Sequence, residues 1–136
     1  MTARCPSIDN ELLSGLQWGL PAISLPSLSA LNTAFCNDEE PELTYAQAVL
    51  GLAAENDILI CISTSGNAKN VTAAAKVALG LGMRVISLTG IKGGALSELS
   101  TICIKAPETE TFRVQELHLP IYHCICAAVE EHFFED

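Results

Sequence analysis

The chain has 136 residues, of which 49% are hydrophobic and only 5% aromatic, and its formal net charge is −9. This length fits one domain, residues 1–136, and leaves no room for a second. With only seven lysines and arginines the chain is a poor match for a nucleic-acid partner, and no apolar run is long enough to span a bilayer.

The cysteines and the N-terminus indicate a compartment. Of six cysteines, Cys61 and Cys103 fall in predicted buried strands and Cys124 and Cys126 on a predicted helix, so we expect small core residues with reduced thiols. The N-terminus carries no basic and apolar export signal, and we therefore expect a cytoplasmic protein. The mean hydropathy of +0.34 is high for a small monomer, and we attribute the excess to a subunit interface.

The sequence before residue 57 shows weak patterns. Apolar residues at 8, 12, 13, 16 and 18 predict a short helix before residue 19. Residues 21–25, Pro-Ala-Ile-Ser-Leu, predict a short strand with proline at its first position. A polar loop that contains Asn37 and Asp38 follows, and a helix is predicted from about residue 41 to residue 55.

The most informative stretch begins at residue 58. Residues 58–62 are continuously apolar and predict a strand buried on both faces of a parallel sheet. Three hydroxyl side chains and a glycine follow directly. A helical repeat then begins, with apolar residues at 71, 74, 75, 78 and 79.

Two further strands and a long helix complete the pattern. Residues 84–88 and 101–105 predict strands, the second at a sheet edge, and residues 111–134 predict a helix. Alternating strands and helices predict an α/β fold, a three-layer sandwich around a parallel sheet. In such sheets ligands bind beyond the carboxyl ends of the strands, where Ser63 and Thr89 emerge.

The turn after the first buried strand is a candidate anion site. Ser63, Thr64 and Ser65 supply hydroxyl groups, and the helix that follows presents unpaired backbone N–H groups at the positive end of its dipole. The alternative is simple helix capping, which serine and threonine perform routinely. One cap needs one side chain, so three hydroxyls favour an anion site.

The last helix carries polar residues that could reach a ligand. Gln115 and His123 are separated by about 12 Å of helical rise and about 80° of rotation, so they border one surface. His118 and Tyr122 lie on the same side, and Pro120 predicts a kink between them. On spacing alone, a hydrogen-bonded interface histidine is the preferred explanation of His123.

Three segments in order resemble a known family. They are Ile-Ser-Thr-Ser-Gly-Asn at 62–67, Val-Ile-Ser-Leu-Thr-Gly at 85–90, and Thr-Phe-Arg-Val-Gln-Glu-Leu-His at 111–118 followed by His123. Together they are similar to the sugar isomerase (SIS) domain, specifically its phosphoheptose isomerase branch, over about residues 20–133. The resemblance implies a flavodoxin-like domain that forms a homodimer or homotetramer, with sites between subunits and a sugar phosphate as ligand.

The resemblance also implies roles for individual residues. A phosphosugar would be bound by Ser63, Thr64, Ser65, Asn67 and Thr111, with Asp38 on a sugar hydroxyl. Gln115 would contact the reacting end of the sugar, and His123 would move a catalytic proton or bind a metal. Some members of the branch bind zinc, for which Gln115 and His123 form an incomplete ligand set unless another subunit completes it.

The sequence also departs from the family pattern. Members begin with a helical hairpin and a first strand, then a Gly-Asn-Gly-Gly-Ser-type loop and a helix that supplies a histidine and a catalytic glutamate. None of these matches here, so we expect an N-terminally truncated SIS domain. Three hypotheses follow: an isomerase acting on sedoheptulose 7-phosphate or a similar sugar, a non-catalytic module that senses a sugar phosphate, and a structural fragment that binds nothing. Turnover separates the first two, and ligand binding excludes the third.

Overall fold

The computed structural model describes residues 7–17 and 19–134. In these residues three strands form one sheet, and helices pack around it. The strands are β1 (Ile58–Ile62), β2 (Arg84–Thr89) and β3 (Ile102–Lys105). The helices are α1 (Asn10–Ser14), α2 (Ser29–Asp38), α3 (Thr44–Leu52), α4 (Lys69–Gly80), α5 (Leu96–Leu99) and α6 (Thr111–Phe134).

The sheet is parallel, and β2 lies at its centre. The strand order is β1-β2-β3, with Ile60 opposite Ile86 and Ile86 opposite Ile102. Helix α4 connects β1 to β2, and the short α5 lies between β2 and β3. The predicted α/β fold with a parallel sheet is therefore confirmed, as are the last two strands and the last helix.

One face of the sheet carries the hydrophobic core. Cys61 and Val85 project from this face towards α3, α4 and α5. Helix α4 meets the strands through alanines, whose small side chains allow close approach of helix and sheet. The buried cluster consists of Val49, Cys61, Ala74, Ala75, Ala78, Met83, Val85 and Leu96.

The opposite face of the sheet is largely uncovered by the described residues. Four isoleucines on it, which we call the isoleucine face, are between 50% and 58% exposed. They are Ile58, Ile60, Ile62 and Ile102. The prediction that residues 58–62 are buried on both faces is thus wrong, because β1 is an edge strand and no described helix lies over its second face.

The region before β1 differs from expectation. Residues 21–24 form neither a helix nor a strand, so the strand predicted at 21–25 is wrong, and the chain enters a 3₁₀ turn at Leu25–Ser27 instead. Asn37 and Asp38 end α2 and do not lie in a loop. The helix predicted at 41–55 is a 3₁₀ turn, Pro41–Leu43, followed by α3.

The helix predicted near the N-terminus is present in shorter form as α1, whose N-cap Asp9 accepts a hydrogen bond from the Glu11 amide. Residues 1–6 and 18 of that prediction lie outside the described residues. None of the helices in the described part of the chain is both long and apolar enough to cross a membrane.

The cysteines are only partly core residues. Cys61 is 3% exposed, and burial raises the pKa of its thiol to about 11. Cys103 is half-buried, whereas Cys124 and Cys126 are exposed free thiols. The prediction that Cys124 and Cys126 are core residues is therefore wrong, because the second half of α6 is not covered by described residues.

Candidate functional site

The three hydroxyl side chains lie in one tight turn at the carboxyl edge of the sheet. We call residues 63–67 the hydroxyl loop. The Ser63 amide continues the strand pairing by donating to Leu88 O at 3.0 Å, and the Gly66 amide closes the turn by donating to Ser63 O at 3.0 Å. Gly66 is buried and has a φ of +67°, a conformation that favours glycine.

Backbone amides of this turn are available to a ligand. No described residue accepts a hydrogen bond from the amides of Thr64 and Ser65. Ala68 is the N-cap of α4 and provides no side-chain cap. The Val71 amide donates to Asn70 Oδ1 at 2.9 Å, whereas the Lys69 and Asn70 amides at the start of the helix have no acceptor among the described residues. These donors surround the positive end of the α4 dipole, where an anion is stabilised.

The hydroxyl groups of the loop differ in accessibility. Ser63 is buried, Thr64 is half-buried and Ser65 is exposed. Only Ser65 is engaged within the loop, because its Oγ accepts the Asn67 amide at 3.1 Å. None of the three caps α4, which disfavours simple helix capping as the reason for their presence.

Asn67 makes a hydrogen bond with each polar atom of its side chain. Its Nδ2 donates to Ser65 O at 3.1 Å, and its Oδ1 accepts the Ala95 amide at 2.9 Å. Both polar atoms of the side chain are therefore used within the protein. The sequence motif contains Asn67, but nothing in the spacing reveals this bridge to residue 95.

Helix α6 begins beside the hydroxyl loop. Val114 is buried, and its Cγ2 lies 3.2 Å from the point where a Cβ on Gly90 would stand. His118 is 3% exposed, and its Nε2 lies 3.1 Å from Thr89 O. Because a carbonyl oxygen can only accept, this bond requires the proton on Nε2. His118 thus anchors α6 to the end of β2, a role that sequence reasoning missed.

The remaining predicted site residues are exposed. They are Asp38, Thr111, Gln115 and His123. No hydrogen bond or ion pair of the described residues joins them to the hydroxyl loop. Gln115 follows Val114 directly, whereas His123 is about 13 Å of helical rise beyond Val114. Their roles remain predictions.

Comparison with protein families identifies the domain. The model of the SIS domain matches residues 32–126, which include the hydroxyl loop and most of α6. The chain belongs to the SIS domain family.

Curated relatives of this SIS domain are phosphoheptose isomerases. The enzyme of Helicobacter pylori strain HPAG1 is 44% identical over 115 residues, which cover 85% of this chain and 60% of that protein. The enzyme of Aneurinibacillus thermoaerophilus is 39% identical over 118 residues, which cover 87% and 60%. The chain thus spans about 60% of the length of these relatives.

Solved structures agree with this assignment. The phosphoheptose isomerase of Francisella tularensis is 36% identical and superposes with a TM-score of 0.81, covering 85% of this chain and 62% of that one. GmhA of Neisseria gonorrhoeae, also a phosphoheptose isomerase, is 34% identical with a TM-score of 0.78, covering 81% and 62%. The predicted SIS resemblance is confirmed.

An open cleft of ≈ 480 Å³ lies at the start of α4 in this SIS domain and is lined by Pro41, Glu42, Lys69 and Asn70. The Lys69 ammonium lies 3.1 Å from a carboxylate oxygen of Glu42. Because this cation already has an acidic partner, an anion at the start of α4 would depend mainly on neutral donors.

The SIS domain does not complete a metal site from its described residues. No group of three or more histidine, cysteine, aspartate or glutamate side chains in residues 7–17 and 19–134 could hold a metal ion. Gln115 and His123 would provide at most two of the four ligands that tetrahedral zinc needs. The residues described here therefore do not fit zinc without further ligands.

Proposed function

We propose that this SIS domain binds a sugar phosphate at the hydroxyl loop and acts as a phosphoheptose isomerase, converting sedoheptulose 7-phosphate or a similar sugar phosphate between ketose and aldose. The proposal places it in the cytoplasm as a homodimer or homotetramer. One observation carries it: the hydroxyl loop presents unpaired amides and hydroxyls at the start of α4. Similarity to phosphoheptose isomerases supports the choice of ligand.

The donors of the loop match the chemistry of a phosphate group. The oxygens of a phosphate dianion act as hydrogen-bond acceptors and never as donors. The amides of Thr64 and Ser65 and the three hydroxyl groups of residues 63–65 can all donate to such oxygens. In this proposal Ser63, Thr64 and Ser65 hold the phosphate. Thr111 and Asp38 then contact the rest of the sugar phosphate.

Aldose–ketose conversion moves a proton between neighbouring carbons. This step needs a base at one carbon and an acid, or a metal, at the carbonyl oxygen. We assign a proton-transfer role to His123 and assign Gln115 to the reacting end of the sugar. The second acid–base group then comes from outside the described residues, as expected for a site shared between subunits.

A non-catalytic sensor of sugar phosphates is the second candidate. It is favoured by one observation, namely that His123 and Gln115 are exposed and make no hydrogen bond or ion pair with another side chain of the described residues. The relatives favour the isomerase, because those at 39–44% identity are named as isomerases.

Calorimetric titration with sedoheptulose 7-phosphate, followed by an assay for its aldose product, tests the proposal. We expect both binding and turnover from the assembled protein. Binding without turnover would reject the isomerase in favour of the sensor. Absence of binding to sedoheptulose 7-phosphate and to hexose phosphates would reject both.

A further inference from the structure

The hydroxyl loop is in backbone contact with a second loop that follows β2. We call residues 93–95 the glycine turn. A Cβ on Gly66 would lie 1.9 Å from Gly93 O, and a Cβ on Gly94 would lie 2.5 Å from Ser65 O. Gly93 and Gly94 have φ values of +74° and +56°. Because neither Gly66 nor Gly94 has space for a side chain, the two backbones fix each other's position.

Hydrogen bonds reinforce this contact. The Leu96 amide donates to Gly66 O at 3.0 Å. Asn67 spans the two loops, because its Nδ2 donates to Ser65 O and its Oδ1 accepts from the Ala95 amide. The Leu96 amide and the Asn67 side chain thus occupy the carbonyls of Gly66 and Ser65, and the Ala95 amide fixes Asn67 in turn.

The result is an asymmetric distribution of backbone groups. Each carbonyl from 63 to 66 has a donor within the protein: the amides of Gly66, Gly90 and Leu96 and the Nδ2 of Asn67. The amides of Thr64 and Ser65 have no acceptor among the described residues. A carbonyl oxygen facing a phosphate would repel it, so occupying all four carbonyls leaves a surface made of donors.

We infer that Asn67 and Gly94 are positioning residues, which hold the hydroxyl loop with its carbonyls bonded within the protein and the amides of Thr64 and Ser65 towards the ligand. Asn67 acts through Ser65 and Ala95 and does not contact the sugar phosphate with its side chain. This inference rests on the proposed function for the identity of the ligand. The arrangement of the loop is a property of the free protein and can be tested separately.

Two substitutions test the inference, each with a matched control. Asn67→Ala removes both side-chain hydrogen bonds of Asn67, one within the hydroxyl loop and one to Ala95, and Asn10→Ala removes an exposed asparagine from α1. Gly94→Ala forces a side chain against Ser65 O, whereas a Cβ on Gly51 in α3 would meet nothing within 4 Å, so Gly51→Ala is its control. If Gly94→Ala fails to fold, Asn67→Ala still decides the question.

Two readouts are needed. The first is NMR of the ligand-free protein, in which we expect Asn67→Ala to shift the Ser65 and Gly66 amide resonances and to speed hydrogen exchange at the Leu96 amide. The second is affinity for inorganic phosphate and sedoheptulose 7-phosphate, which we expect to fall about tenfold, as for the loss of two ordinary hydrogen bonds. A purely structural role would lower stability without changing the phosphate affinity of the folded molecules.

The outcomes separate this inference from the proposed function. Weaker binding by Asn67→Ala with unchanged loop resonances would mean that Asn67 contacts the ligand directly, and the inference would be overturned while the function stands. Unchanged resonances and unchanged affinity would also overturn it. If the unsubstituted protein binds neither probe, the proposed function fails, and altered loop resonances would still support the positioning role.

Discussion

Ser65 is the most accessible hydroxyl of the loop, and its contacts suggest what its loss would do. It is exposed, and its Oγ already accepts the Asn67 amide at 3.1 Å, so its hydroxyl hydrogen remains free to donate to a ligand. Ser63 is buried beside the strand and has less access to a bound anion.

We therefore expect Ser65→Ala to weaken binding of sedoheptulose 7-phosphate by about tenfold or more, because a hydrogen bond to a charged group is worth about 1.5–3 kcal/mol. Calorimetric titration measures the effect. Ser27→Ala, which removes a hydroxyl from the exposed turn Leu25–Ser27, serves as the control and should leave affinity unchanged. Equal affinities of the Ser65 and Ser27 variants would argue against a phosphate at this loop.

The buried thiol of Cys61 should make the free energy of unfolding depend on pH. Desolvation raises the pKa of its thiol from 9.0 to about 11, so the folded protein keeps the thiol neutral at a pH where the unfolded chain ionises. This contribution to stability is fully present below pH 9 and is lost as the pH rises through 11.

Urea unfolding between pH 8 and pH 11 tests this. We expect the free energy of unfolding to fall by an amount on the order of 2 kcal/mol more in the unsubstituted protein than in Cys61→Ala, which lacks the thiol. Lysine and tyrosine titrate in the same range, but they are common to both proteins. Parallel pH profiles would contradict the prediction.

At the scale of secondary structure, α6 depends on few contacts with the sheet. Val114 and His118 are its buried residues in the described structure, and the His118 ring bonds to Thr89 O. The helix continues through Pro120, whose missing N–H leaves Glu116 O without its helical donor. The predicted kink at this position remains a prediction.

His118→Ala should loosen α6 selectively. The change removes one of the two donors to Thr89 O, which keeps the Ala106 amide at 2.8 Å, and it opens a cavity. We therefore expect a loss of about 1–3 kcal/mol in the free energy of unfolding. Amide hydrogen exchange should accelerate more in α6 than in β2. His132→Ala, at an exposed position of the same helix, should have neither effect. Uniform acceleration across both elements would show that His118 stabilises the fold without a specific role for α6.

Local patterns predicted most of the elements because neighbouring residues determine them. The helical repeat and hydroxyl cluster after residue 62 give the strand–turn–helix unit, and the long amphipathic stretch from residue 111 gives α6. Burial depends on partners that are distant in sequence. An apolar run such as 58–62 fits a central strand or an edge strand equally well, and residues 21–24 have strand-like composition but no strand beside them.

In the candidate site too, features formed by neighbouring residues could be predicted, whereas contacts between distant residues could not. Ser63, Thr64 and Ser65 could be recognised from sequence because they are consecutive and precede a helix. The bridge from Asn67 to Ala95 and the bond from His118 to Thr89 each join positions 28 or 29 residues apart. No periodicity in one sequence reports such pairs, so these contacts required the structure.

At the scale of the whole molecule, the two faces of the sheet are unequal. Parallel sheets are usually covered by helices on both faces. Here α3, α4 and α5 cover one face, while the isoleucine face and the free edge of β1 remain accessible in the described structure. An apolar face beside an unpaired strand edge favours self-association.

Ile60→Thr tests this at the centre of β1. Threonine keeps the preference for a strand but removes apolar surface, so we expect self-association to weaken by about five- to tenfold. Sedimentation equilibrium measures the association constant. Leu50→Gln changes an exposed apolar residue on α3 and should have no effect. A well-behaved monomer at micromolar concentration of the unsubstituted chain would refute the prediction of self-association.

Self-association through the isoleucine face should depend on temperature. Contacts between apolar surfaces weaken on cooling, because their stabilisation near room temperature is largely entropic. A solution of this chain that stays clear on ice should therefore become turbid on warming, and it should clear again on re-cooling as long as the chains remain folded.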